Sequence, residues 1–154
     1  MAEGRVTTPN AVLFACGQNS LRSPMAAALL RQMFGSAQRV ASVGVRKGEL
    51  DPFAVAAMAE LGIDISEHQP TTFEELEDLE DLDFDLIITL APEAHHRAMQ
   101  LTHRLGADVE YWPTADPTAV EGNREQRLDA YRAVRDQLMQ RIKERFAAAP
   151  AGNE

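Results

Sequence analysis

Residues 11–28 read AVLFACGQNSLRSPMAAA. Ala11-Val12-Leu13-Phe14-Ala15 is an apolar run of strand length, and polar turn residues follow it. Cys16, the only cysteine in the chain, opens a short loop of Gly17, Gln18, Asn19, Ser20 and Leu21, and Arg22, Ser23 and Pro24 close it. Pro24 suits the first turn of a helix, where its missing N–H costs nothing. The pattern predicts a buried strand, a tight loop, and a helix carrying Met25, Leu29, Leu30 and Met33 to Gly35.

Such a loop is suited to hold a tetrahedral anion. Closed between Cys16 and Arg22, it can turn successive backbone N–H groups inward as a nest. The helix N-terminus adds about half a positive charge behind it. Arg22 can grip two oxygens with its planar fork, which a lysine cannot do with the same geometry. The same field favours negative charge on the Cys16 sulfur, and the thiolate is the nucleophilic form. Cys16 would attack phosphorus in line, giving a phosphocysteine that water later hydrolyses, with the Ser23 hydroxyl placed to donate to the sulfur as it forms or leaves. The competing reading makes Cys16 a small buried hydrophobe at a strand end. The strand before it, the helix after it and the Ser-Pro pair behind Arg22 favour the anion site.

The chain has 154 residues, enough for one domain over 1–154 with its core at about 10–146 and loose tails,. Hydrophobic residues make up 45% and charged residues 25%, an ordinary balance for a soluble globular protein. No apolar run reaches the length of a membrane span, and MAEGRVTTPN has no apolar centre that would make it a secretory signal,. One cysteine cannot form an internal disulfide, which fits the reducing cytoplasm. A net charge of −9 argues against a nucleic-acid partner, whose binding rests on phosphate neutralisation,. A small anion in a local nest is a different case, because exposed charges are screened beyond about 8 Å.

Arg39–Val43 reads as a second strand, and residues 44–50 as a loop bearing Arg46 and Lys47. Asp51 caps a helix opened by Pro52, with Val55, Met58 and Leu61 on one face and Gly62 as its stop,. Residues 63–70 form a turn-rich connection, and the acidic run 72–82 reads as a short solvated helix,. Asp85–Leu90 is a strand apolar on both faces, hence central. Pro92 opens a helix with Ala94, Ala98, Leu101 and Leu105 inward and Gly106 closing it. Val109–Trp112 is a last strand, 113–123 a loop, and Arg124–Phe146 a helix with Leu128, Tyr131, Val134, Leu138 and Ile142 at helical spacing,. Strands alternating with helices imply an α/β fold: a four-stranded parallel sheet with helices on both faces. In such sheets ligands bind at the carboxyl ends of the strands, where both the Cys16 loop and the 113–123 loop fall.

Asp116, followed by Pro117, is the best candidate for an acid that protonates a leaving oxygen. Asp-Pro also makes turns with no further role, and both readings stay open. Asp51-Pro52 is explained by a helix cap. His95, His96 and His103 fall on a surface helix and read as solvated, without the clustered ligands a metal needs. His68 lies in a loop that can approach the nucleophile loop.

From Ala11 to Phe146 the chain resembles the low-molecular-weight protein tyrosine phosphatases and the related thioredoxin-coupled arsenate reductases. Cys16-Gly-Gln-Asn-Ser-Leu-Arg22-Ser-Pro near the N-terminus, paired with Asp116-Pro117 near the C-terminus, carries the resemblance. It implies a flavodoxin-like sheet, no metal and no organic cofactor. It implies Cys16 as nucleophile, residues 17–22 as phosphate cradle, Arg22 as clamp, Ser23 as thiolate partner and Asp116 as general acid. It also implies that Asn19, Ser42 and His68 brace the loop by hydrogen bonds; asparagine tolerates the left-handed backbone a tight loop needs. The chain departs from the pattern in several places. Gln18 stands where the family usually has glycine, and Leu21 where a second cysteine is common. Thr118 stands where tyrosine often follows Asp-Pro, the 44–50 loop has no aromatic residue, and Ala27 replaces a frequent acid. Residues 51–66 and 111–142 look closer to the arsenate reductases.

The first functional reading is a phosphomonoesterase of the protein-tyrosine-phosphatase type, working through a phosphocysteine on a phosphoprotein or small phosphomonoester. The second is an arsenate reductase that hands its arseno-cysteine to a small thiol. The third, motivated by Gln18 and Thr118, is a catalytically weak phosphate-binding module.

Overall fold

The computed structural model describes residues 9–35 and 39–147. Both tails expected to be loose lie outside this range, apart from Pro9 and Ala147, the latter the last residue of a helix; the side chains of 103–105 also lie outside it, and with them the inward placement of Leu105 and the solvated placement of His103. The elements run β1 (Ala11–Cys16), α1 (Arg22–Phe34), β2 (Arg39–Gly44), α2 (Pro52–Ala59), α3 (Phe73–Asp78), β3 (Leu86–Thr89), α4 (Pro92–Leu105), β4 (Asp108–Tyr111), a 3-10 turn (Pro117–Ala119) and α5 (Arg124–Ala147). The strands pair in parallel in the order β2-β1-β3-β4. This is the expected four-stranded parallel sheet covered by helices on both faces.

The two-residue period of β1 sorts its side chains between two cores. Val12, Phe14 and Cys16 join the side packed by α1, α2 and α5, while Leu13 and Ala15 join Phe73, Ala94, Ala98 and Leu101 of α3 and α4. A strand buried on both faces must be apolar throughout, which is why the run 11–15 shows no alternation. The chain leaves β1 for β2 on one side and later returns to place β3 on the other. The carboxyl end of β1 is therefore the point where strand order reverses, and a crevice opens there. Cys16 is the last residue of that strand.

Several boundaries differ from the sequence expectation. Helix α1 begins at Arg22, ahead of Pro24, and Leu21 at its cap position supplies no side-chain hydrogen bond. Helix α2 ends before Leu61, which is exposed, and its inward residues are Ala54, Ala57 and Met58. The acidic run 72–82 is helical only over Phe73–Asp78, closed by a capping box between Thr72 and Glu75. It is not merely a solvated segment: Phe73 and Leu76, three apart, are buried in the second core. Strand β3 is one residue shorter than expected at each end; just before it the Asp85 carboxylate accepts from the N–H groups of Asn10 and Ala11 at 2.9 and 2.8 Å. Strand β4 starts one residue early, and Trp112 beyond it packs edge-on against Phe14. Among the described residues no helix is long and apolar enough to cross a membrane.

Candidate active site

The loop from Cys16 to Leu21 is shaped by where its carbonyls go. Cys16 O accepts from Val45 N (3.2 Å), Gly17 O from Arg46 N (2.8 Å), Gln18 O from Gly48 N (2.9 Å) and Ser20 O from Asp51 N (2.9 Å). Asn19 O faces His68 Nε2 at 3.2 Å, and Leu21 O takes the N–H of Met25 at 3.0 Å as α1 begins. Every carbonyl of the loop is thus satisfied on its outer side. The N–H groups of residues 17–22 have no protein acceptor among the described residues, and a peptide whose C=O points out presents its N–H inward. The 45–51 segment can lie this close because Gly44 ends β2. A Cβ there would sit 2.6 Å from Asn19 N and 2.7 Å from the Gln18 carbonyl carbon.

Asn19 holds the loop from beneath. It is fully buried, with φ of 56°, the left-handed region that asparagine tolerates better than most residues. Its amide nitrogen donates to Ser23 Oγ (2.8 Å) and Ser42 Oγ (2.9 Å), and its Oδ1 accepts from Thr71 N (2.8 Å) and faces His68 Nε2 (3.0 Å). Both groups facing His68 Nε2 are acceptors, so that nitrogen carries the proton. Burial pushes the His68 pKa below its ordinary value, against the Asn19 hydrogen bond that raises it, which keeps the ring neutral in that role. Ser23 Oγ lies 2.9 Å from Cys16 Sγ.

The loop after β4 completes the crevice. Thr114 N bonds Leu90 O at 3.1 Å, and the Thr114 carbonyl accepts from Arg22 Nη1 at 2.8 Å. Arg22 therefore ties the Cys16 loop to the segment bearing Asp116. Asp116 Oδ1 accepts from both the amide (3.0 Å) and the hydroxyl (2.7 Å) of Thr118. Burial pushes the Asp116 carboxyl up, but those two bonds and the nearby Arg22 outweigh it and hold the group below the usual carboxylate range. Cys16, Arg22, Asp116 and Thr118 line one cavity of about 120 Å³, which no aromatic side chain lines. Cys16, 3% exposed, lies at its floor.

The far wall holds two residues that the motif did not single out as site residues. Arg46 and Glu93 form a two-pronged ion pair, Nη1 to Oε2 at 2.5 Å and Nη2 to Oε1 at 3.0 Å. The pair rests on Gly17, where any Cβ would collide with Glu93 Oε1. The Arg46 guanidinium, and less strongly Arg22, hold the Glu93 carboxyl below its ordinary range. Their place could have been read from topology: Arg46 follows β2 and Glu93 follows β3, both at carboxyl strand ends. Asp51 also does more than cap α2. Its Oδ1 accepts from Phe53 N (2.9 Å), its Oδ2 takes the Tyr131 hydroxyl (2.6 Å), and its own N–H holds Ser20 O. His95 is not simply solvated: Nδ1 lies 3.0 Å from Thr89 Oγ1, and the ring stacks on Tyr111. His96 is exposed. Among the described residues no group of three His, Cys, Asp or Glu side chains could hold a metal ion.

An arsenate reductase from Bacillus licheniformis is 36% identical over 140 residues, covering 88% of this chain and 94% of that protein. A solved arsenate reductase in its phosphate-binding state is 28% identical, with a TM-score of 0.70 over 92% of this chain and 99% of its own. A tyrosine phosphatase from Erwinia amylovora superposes with a TM-score of 0.75 over 98% and 99% of the two chains; at 20% identity it speaks for the fold alone. The family model for low molecular weight phosphotyrosine protein phosphatase matches residues 11–150. The chain belongs to that family, the superfamily that also contains the arsenate reductases.

Proposed function

We propose that this chain reduces arsenate through Cys16 and a low-molecular-weight thiol. The observation that carries the reading is the inward-facing N–H nest above the one thiol of the chain, in a cavity of about 120 Å³ with no aromatic wall. Such a cavity suits a bare tetrahedral oxyanion better than an aryl ester. The similarity to arsenate reductases over most of the chain supports the same choice and reverses the order that the motif alone suggests.

The Cys16 thiolate attacks arsenic(V), an S–As bond forms, and one As–O bond breaks as its oxygen leaves, protonated, as water. The amides of residues 17–22 and the Arg22 guanidinium take up the charge of the remaining oxygens. The Ser23 hydroxyl donates to the sulfur. An external thiolate then attacks Cys16 Sγ; the S–As electron pair stays on arsenic, which departs as arsenite. A second thiol cleaves the mixed disulfide, regenerating Cys16 and releasing the thiol's disulfide. Two thiols thus supply the two electrons. The thiol must be external because no second cysteine exists in the chain.

Phosphomonoester hydrolysis is the second reading, and Asp116 in the cavity wall favours it. Phosphorus is not reduced by thiols, so a phosphocysteine would pass to water, and a poor leaving group would need a proton from Asp116. The lowered Asp116 pKa leaves that carboxyl ionised at neutral pH in the free site. Arsenate carries its own proton and has less need of it.

Incubating the purified chain with arsenate and glutathione, and measuring arsenite, tests the choice. We expect arsenite at a rate that depends on thiol and on Cys16, with phosphate as a competitor. Rapid aryl phosphate hydrolysis with no arsenite from any thiol would put the second reading first.

A further inference from the structure

The external thiol must bring its sulfur to a buried Cys16, so the rest of that molecule has to rest at the cavity mouth. Three charged side chains line the cavity besides Arg22: Asp116 on one wall, Arg46 and Glu93 on the other. Arg46 and Glu93 are about half exposed, at 56% and 43% of their side-chain surface. An exposed ion pair contributes only about 0–1 kcal/mol, so a ligand with matching charges can part it at little cost. A neutral thiol gains nothing from such a wall. An anionic thiol gains Arg46 but meets Glu93 and Asp116. A thiol that carries both an ammonium and a carboxylate complements both members of the pair.

The geometry points to Arg46 and Glu93 as the recognition site for a zwitterionic thiol, an amino-acid-like thiol whose carboxylate takes Arg46 and whose ammonium takes Glu93. This rests on the arsenate-reductase reading for its biological use, but the recognition itself can be tested without arsenate. Gly17 lies directly beneath the pair, where a Cβ would displace the Glu93 carboxylate from its present position.

The test is thiol–disulfide exchange on the reduced, full-length chain. Cys16 thiolate attacks a symmetrical disulfide, forming a mixed disulfide and releasing one thiolate. Four disulfides are compared: cystine (one ammonium and one carboxylate on each half), hydroxyethyl disulfide (neutral), dithiodiglycolate (anionic) and cystamine (cationic). The mixed disulfide is followed by intact mass. Each rate is divided by the rate of the same disulfide with a free small thiol, which removes its intrinsic reactivity. We expect the zwitterionic disulfide to exceed the neutral one by about tenfold, one charge-assisted hydrogen bond's worth. Arg46→Gln and Glu93→Gln should each remove most of that preference, and phosphate should slow the exchange by occupying the nest. If Glu93→Gln fails to fold, Glu93→Ala read by the same ratio replaces it. Equal normalised rates, a fastest anionic disulfide, or a preference intact in both variants would overturn the assignment. No arsenite formation with any thiol would overturn the reading of the previous section instead, and the exchange result would still decide this one.

Discussion

Ser23 has one hydroxyl hydrogen and two acceptors within reach. Asn19 already donates to its oxygen at 2.8 Å, so the hydrogen goes either to Cys16 Sγ at 2.9 Å or to the Val43 carbonyl at 3.3 Å. A thiolate can only accept, so whenever the Cys16 sulfur carries the charge the Ser23 hydrogen turns to it. From this we expect Cys16→Ser to keep anion binding, seen as a phosphate-induced rise in Tm, while turnover falls by about 10³-fold or more. Arg22→Lys should cost about 10²–10³-fold in kcat, the penalty for losing an oriented donor. Thr118→Val removes one of the two bonds that lower the Asp116 pKa. If Asp116 gives up a proton, activity on an aryl phosphate declines as it ionises, and the variant moves that limb of the kcat/KM–pH profile to higher pH. An unmoved limb would show that Asp116 only shapes its turn. That Cys16, Arg22 and Ser23 come together was legible in the sequence because they lie within one local unit. Glu93 could be placed at a carboxyl strand end from topology, but its pairing with Arg46 beside Gly17 was not legible, because it depends on a contact between distant parts of the chain.

At the scale of elements, the Cys16 loop is held mainly by other segments. The 45–51 stretch, Thr71 and His68 bind its outer side, and Tyr131 of α5 holds Asp51, which in turn holds Ser20. Asn19→Ala would leave several buried partners unpaired, so we expect a stability loss of roughly 1–3 kcal/mol together with a weaker phosphate-induced Tm rise. A normal phosphate response in a destabilised variant would separate folding from loop shape. Helices α2 and α5 are clasped by Glu60, which meets Arg132 (Nη2 to Oε2, 2.7 Å) and Arg135 (Nη1 to Oε1, 2.9 Å). Those hydrogen bonds lower the Glu60 pKa from 4.5 to about 2. A carboxyl lowered in the folded state adds stability above its unfolded pKa and loses it as pH falls through the folded one. Glu60→Gln should therefore lower Tm at neutral pH and make little difference near pH 2 (roughly the folded pKa); an equal loss at both would assign the effect to packing. Helix α5 was legible because its apolar residues repeat over many turns. Helix α3 was misjudged because two apolar residues among acids leave too short a period to reveal a buried face.

For the whole molecule, the order β2-β1-β3-β4 makes the end of β1 the meeting point of four separate segments: the Cys16 loop, the 45–51 stretch, the start of α4 and the Asp116 loop. The strand–helix alternation foretold a parallel sheet. The strand order could not be read locally, since it is set by which faces the distant helices cover. With one cysteine in the chain, no internal disulfide can form for thioredoxin to reduce, and we expect thioredoxin alone to support no arsenate turnover. All of this depends on the loop amides converging on an anion above Cys16. The most direct measurement is a crystal structure of the chain with bound arsenate or vanadate. We expect the oxyanion inside the loop, held by the amides of residues 17–22 and the Arg22 guanidinium, with its central atom in line with Cys16 Sγ. An anion bound elsewhere, or a loop whose carbonyls face the cavity, would contradict it.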